Sequence, residues 1–188
     1  MRVLLLAPPG AGKGTQGARL AEHFGIAHIA TGDLLRDELR RGTELGERDR
    51  SVLDRGELVS DELMLDLVFA AVRADSASAG YVLDGFPRTA NQAREGRRLA
   101  KQHGLQAQVA LHLQVTDDEV TRRLLARRDG RSDDTEPVIR RRLALYHDVS
   151  APVLDYYRYK GLLVDIDAMQ SVDAVAADAI AAVRAATS

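Results

Sequence analysis

The first residues able to do chemistry lie in "PPGAGKGTQ" (residues 8–16), three glycines around a lysine. Gly10, Gly12 and Gly14 let the backbone curl so that successive N–H groups point inward. A following helix would add the positive end of its dipole. With Ala11 and Thr15 completing the loop and Lys13 reaching outward, the stretch can cradle a polyphosphate; its bland alternative is a glycine-rich turn with a surface lysine. The strict G-x-x-x-x-G-K-[ST] spacing is broken twice. Ala7 stands where the first glycine falls, and Gly14 takes the Ser/Thr place, with Thr15 one residue later. Ala7 is tolerated if its φ is negative, whereas a positive φ would impose a strain of about 1 kcal/mol or more. Its place at a strand end favours the first case.

Other charged residues sit at telling positions. Asp84 ends "YVLD", where parallel sheets present acids to ligands, although it could equally cap a helix. Arg123 and Arg127 are spaced i,i+4, so on a helix they share a face and can serve one ligand, or form a solvated basic face. Arg88 follows the rigid turn "GFP". Taken singly, it is an ordinary surface arginine, and Gln92 an ordinary helix-face amide.

These residues need a scaffold. Short apolar runs at residues 3–6, 27–30, 81–83, 109–115 and 162–166 alternate with polar-apolar stretches of helical length, which is the arithmetic of repeated βαβ units. Continuously apolar runs such as "VLLL" fit parallel strands covered on both faces. The expectation is an α/β fold of three layers with a five-stranded parallel sheet, and an alanine-rich terminal helix in "AADAIAAVRAA". Two polar inserts interrupt it, residues 31–60 and the charged "RRDGRSDD" at 127–134.

With 188 residues, one substantial core is affordable, and a formal net charge of −2 gives no general pull toward nucleic acid or anionic membrane. The absence of cysteine excludes disulfides and cysteine-ligated zinc. The first apolar run covers only residues 3–7 before Pro8-Pro9-Gly10, too short for a signal-peptide core or a membrane span, so a cytoplasmic protein is expected.

The run "PGAGKGTQ" resembles the loop of the adenylate kinase family, and "TGDLLR" (31–36), "GELVSDEL" (56–63) and "LDGFPRTANQ" (83–92) agree. The similarity continues through "RRLLARR", "GRSDD", "RLALYHDVSAPVLDYY" and "VDIDA", covering nearly the whole chain. The departures are Ala7 for glycine, Ala168 for a glycine in "DAMQ", and a brief "DGRSDD" that matches the short-lid members. The resemblance implies one P-loop kinase domain over 1–188, with an NMP-binding insert at 31–60 and a short lid at 127–134.

It also implies roles. An AMP pocket would draw on Thr31, Gly32, Arg36, Glu57, Leu58, Val59, Gly85 and Gln92, whose amide offers a donor and an acceptor to the adenine edge. Arg88 would clamp the AMP phosphate, with Arg131 and Arg142 as further phosphate contacts. ATP would lie on Gly10 to Thr15, its adenine stacked on Arg123 and held by the loop of Gln170, its transferring phosphates met by Arg127. Lys13, Arg88, Arg127, Arg131 and Arg142 would carry catalysis, and Asp84 would support Mg²⁺ through water. Asp33 could add an outer contact or cap its helix; Asp133 and Asp134 could hold the lid arginines or start the next helix.

The implied reaction is ATP plus AMP to two ADP, by a monomer without zinc, nucleic acid or membrane. Two nearby alternatives are a UMP/CMP-type kinase and another P-loop small-molecule kinase. A third is a nucleotide-binding protein made catalytically weak by Ala7.

Overall fold

The computed structural model describes residues 1–43, 58–74, 77–126 and 135–187. Its centre is a sheet of five parallel strands: β1 (Arg2–Leu6), β2 (Ala27–Ala30), β3 (Tyr81–Asp84), β4 (Val109–Gln114) and β5 (Leu163–Asp167). Their spatial order is β2-β3-β1-β4-β5. Seven helices surround it among the described residues: α1 (Lys13–Phe24), α2 (Thr31–Arg41), α3 (Asp61–Val72), α4 (Ala90–Gln102), α5 (Asp117–Leu125), α6 (Glu136–Tyr159) and α7 (Val172–Thr187). Each apolar run singled out in the sequence is a strand, within a residue or two of the expected ends. None of the described helices is long and apolar enough to cross a membrane.

Alternation along β1 shows why the runs are continuous. Leu4 and Leu6 enter one core with Ile29, Leu83, Met64, Val68, Val153 and Tyr157. Val3 and Leu5 enter the other, with Leu20, Val82, Leu111, Val175 and Val183. Successive side chains point to opposite faces, and helices cover both, so each position must be apolar. A smaller cluster of Val120, Leu124, Ile139 and Leu143 locks α5 to α6.

Three helices start on side-chain caps that the sequence spells out. Ser60 accepts from the Leu63 N–H, Thr89 from that of Gln92, and Thr116 from that of Glu119. Each satisfies one of the donors left over at a helix start. Pro137 lies in the first turn of α6, where its missing N–H is harmless.

Register positions the chemistry. Asp84 pairs across β3 with Leu5 on one side and with Ala30 on the other. The glycine loop, the start of α2 and the turn after β3 therefore leave the sheet side by side from the same edge, beside the central strand, where open parallel sheets bind ligands.

Ala7 fits this frame without strain. Among the described residues only glycines have positive φ, so Ala7 takes a backbone conformation open to any residue. Its methyl is buried in the second core. The Ala7→Gly variant loses that contact and loosens the unfolded chain. It should be less stable by roughly 1 kcal/mol, read as a lower urea midpoint, with no gain in nucleotide affinity.

Candidate functional site

The loop after β1 is bent by two glycines. Gly10 has φ +82° and Gly12 φ +94°, and a side chain on Gly10 would come within 2.6 Å of Leu124. The next residue begins α1, so the loop opens onto a helix N-terminus. Lys13 Nζ arches back over the loop and donates to the carbonyls of Ala7 (3.0 Å) and Pro8 (2.9 Å). The ammonium thus waits at the loop mouth on bonds that a more strongly negative acceptor would outcompete.

A cleft of about 430 Å³ extends from this loop across the edge of the sheet. Gly10, Gly12, Lys13, Gly14 and Thr15 line one part of it. Thr31, Gly32, Arg36, Leu58, Asp84, Gly85, Arg88 and Arg142 line the rest. Most of the residues expected at the site are therefore brought to one cavity.

Its electrostatics are cationic on the α2 side. Desolvation by the surrounding walls lowers the Arg88 pKa from the usual arginine value. The charges of Arg142 and Arg36 lower it further, and that of Asp84 opposes them. Arg88 stays charged, so three guanidinium groups face one space with a single buried carboxylate nearby. Such a grouping suits a doubly charged anion. Arg88 Nε is held by the Gly85 carbonyl at 2.9 Å. Gly85 has φ +84°, and a Cβ there would lie 2.6 Å from Thr31 Oγ1 and 3.2 Å from the Arg88 guanidinium. Arg36 is folded against Asp33 at 2.5 Å. Asp33 does not cap α2, whose cap residue is Ala30. Asp84 caps no helix either, because Thr89 fills that role for α4.

Two polar atoms in the cleft wall are buried without a hydrogen-bond partner, Thr31 Oγ1 and His28 Nε2. His28 Nε2 lies 3.9 Å from Asp84 Oδ2. The Asp84 carboxylate, at the sheet edge in the same cleft as the phosphate loop, is the kind of hard oxygen donor that Mg²⁺ accepts while keeping most of its water. The residues present therefore fit a Mg²⁺ ion carried in with a nucleotide.

Several expected residues face elsewhere. Gln92 is 2% exposed. Its Oε1 accepts from the Arg88 N–H (2.8 Å) and its Nε2 donates to Asp61 (2.8 Å), so in this conformation the amide braces Arg88 instead of facing the cleft. Val59 and Ala11 are core residues. Gln170 is turned to Asp178 and the Asp167 carbonyl. Arg123 Nη2 donates to the Ala168 carbonyl at 2.9 Å, and its Nη1 makes a 3.5 Å contact with the Ala11 carbonyl. That guanidinium ties the phosphate loop to the loop after β5. Glu57, Arg127, Arg131, Asp133 and Asp134 lie outside the described residues.

The structure also adds residues that sequence reading missed. Asp61, the first residue of α3, accepts from Thr89, Asn91 and Gln92, and so fixes the segment that carries Arg88. Leu145, Tyr146, Val149 and Ser150 of α6 wall the cleft beyond Arg142. Their spacing of three, four, seven and eight residues from Arg142 was the available signal.

Glu119 holds Arg123 in place. Its carboxylate accepts from Arg122 (2.7 and 2.8 Å) and from Arg123 (2.6 Å), and these bonds, Arg122's first, hold its pKa down to about 2 from 4.5. Because the folded value is the lower one, this contribution is complete above pH about 4.5 and is lost as pH falls through about 2. Between those limits the Glu119→Gln variant should lose melting temperature less steeply than the parent. Parallel slopes in thermal unfolding would mean that the pair contributes nothing.

Comparison with known proteins bears on the same residues. A family model described as "Adenylate kinase" matches residues 5–162. The chain is 40% identical over 186 residues to an adenylate kinase of Phocaeicola vulgatus, covering 98% of both chains. It is 46% identical over 182 residues to one of Rhodococcus erythropolis, covering 97% of this chain and 98% of that one. A third, from Mycobacteroides abscessus, is 46% identical over 175 residues, with 93% and 94% covered. With its parallel sheet, glycine loop and arginine-lined cleft, the chain belongs to the adenylate kinase family.

Proposed function

We propose that the chain transfers the γ-phosphoryl group of Mg·ATP to AMP, reversibly, giving two ADP. The observation that supports this reading best is the convergence of Arg36, Arg88 and Arg142 at one end of a cleft whose other end is the Lys13 loop. A cleft with two anion-binding ends suits two phosphorylated substrates. One copy of the chain carries both ends, so a monomer suffices.

In this reading the AMP phosphate attacks the γ-phosphorus in line. No general base is required, since a phosphate monoester with a second pKa of about 6 is largely a dianion at neutral pH. The chain's task is positioning and charge neutralisation. Loop N–H groups and Lys13 hold the ATP phosphates, the ammonium exchanging its two carbonyl acceptors for phosphate oxygens. Arg88, with Arg36 and Arg142, holds the acceptor phosphate. Arg127 and Arg131 join them as the 127–134 lid and the 31–60 insert close and exclude water. Mg²⁺, supported by Asp84 through water, would neutralise charge on the transferring phosphates. Arg123 would offer its plane to the ATP adenine beside the loop of Ala168 and Gln170. Thr31, Gly32, Leu58 and Val59 would frame the acceptor nucleoside. Gln92 reaches its base only by exchanging its bond to Asp61.

ADP formation from Mg·ATP with AMP, CMP, UMP or GMP as acceptor tests the reading. Turnover should be strongest with AMP. It should fall about 100-fold or more in Arg88→Met, as expected for removing a preorganised donor to transferring charge. Preference for a pyrimidine nucleotide would assign the neighbouring kinase class. ATP binding without transfer to any acceptor would leave a binding protein.

A further inference from the structure

His112 has no place in the mechanism above, yet it is bonded at both ring nitrogens. It sits on β4 in register with Leu6 of β1 and with Asp165 of β5. Its Nδ1 meets Asp165 Oδ1 at 2.7 Å, and its Nε2 meets the Tyr146 hydroxyl at 3.2 Å. The histidine side chain is only 12% exposed. Tyr146 lies on α6 one turn beyond Arg142, on the same face, and both line the cleft.

We propose that His112, oriented by Asp165, is a positioning residue that fixes Tyr146 and through it the acceptor-side wall of α6 that carries Arg142. This rests on the kinase reading and adds to it a residue outside the cleft. Hydrogen-bond chemistry sets the direction of each bond. An ionised Asp165 only accepts, so Nδ1 bears a proton. In the neutral ring Nε2 is then an acceptor, and the Tyr146 O–H donates to it. In the imidazolium Nε2 donates to the tyrosine oxygen instead, and the O–H turns to another acceptor. The tether persists in both states while its polarity reverses.

The charges around this tether come from β5, α5 and α6. Asp165 on β5 is also 3.9 Å from Arg158 of α6. Asp117, at the start of α5, acts with Asp165 on Tyr146; burial first, and then these two carboxylates, push the phenol up to about 12. Tyr146 is thus held as the neutral hydroxyl that the tether requires. Asp117 is itself paired with His147 of α6 at 2.9 Å. Arg142 and Arg141 add positive charge on α6, and Leu6 of β1 adds none.

The test compares AMP affinity by calorimetry, and KM for AMP and kcat at neutral pH, in the parent, Tyr146→Phe, His112→Leu and His112→Gln. Tyr146→Phe keeps the ring and removes only the hydroxyl. It should weaken AMP binding and raise KM for AMP about 3- to 10-fold with kcat within about twofold, and His112→Leu should do the same. The double variant should be no worse than either single one, since both remove one tether. His112→Gln places an amide near the position of Nε2 and should restore affinity. Unchanged AMP affinity in Tyr146→Phe and His112→Leu, or additive losses, would overturn the proposal while an active parent left the kinase reading intact. A parent without AMP-dependent transfer would overturn both.

Discussion

Parallel pairing of β3 between β1 and β2 is the constraint on which the site depends. Because Leu5, Asp84 and Ala30 stand in one row, three chain segments far apart in sequence leave the sheet within reach of one another. A register shift of one residue in β3 would turn Asp84 to the other face of the sheet and exchange its two cores. Burial of both faces forbids that shift, so the force that packs the sheet also aims the site. No separate device for positioning the acid is needed.

The same row concentrates unfavourable charge. Arg88 faces two other arginines, with Asp84 the one group among its named neighbours that offsets them. An arrangement that is uncomfortable when empty and relieved by a phosphate is preorganised in the sense that matters for charge transfer. Its support is local and rigid: the Gly85 carbonyl on the guanidinium, and Gln92 and Asp61 behind the backbone. Here the functional segment and its scaffold are joined by hydrogen bonds to α3, an element that touches no phosphate in this reading.

Much of this was legible in the sequence, for identifiable reasons. The strands were visible because two-sided burial demands apolar residues at every position, as at Val3, Leu4 and Leu5. The phosphate loop was visible despite Ala7, because positive φ is needed at Gly10 and Gly12 and not at residue 7. Side-chain direction was not visible. Gln92, Gln170 and Arg123 turn toward partners supplied by other elements, such as Asp61 and the Ala168 carbonyl, and no local spacing announces those. His112 and Asp165 are 53 residues apart and meet only through strand register.

Helix α6 runs for 24 residues, about 36 Å, and contains Pro152. Proline supplies no N–H, so the Asp148 carbonyl lacks its intrahelical partner, and the ring presses on the preceding turn. The two halves of this rod are anchored on different elements. Val153 and Tyr157 are sealed into the core beside the sheet, whereas the half before the proline bears Arg142 and Tyr146 along the cleft. Mechanically, α6 is a beam seated at both ends, on α5 through Ile139 and Leu143 and on the sheet through Val153 and Tyr157, with a notch between the two seats. Bending costs least at the notch, so any change of angle between the two seats is taken up at Pro152 while each keeps its own contacts.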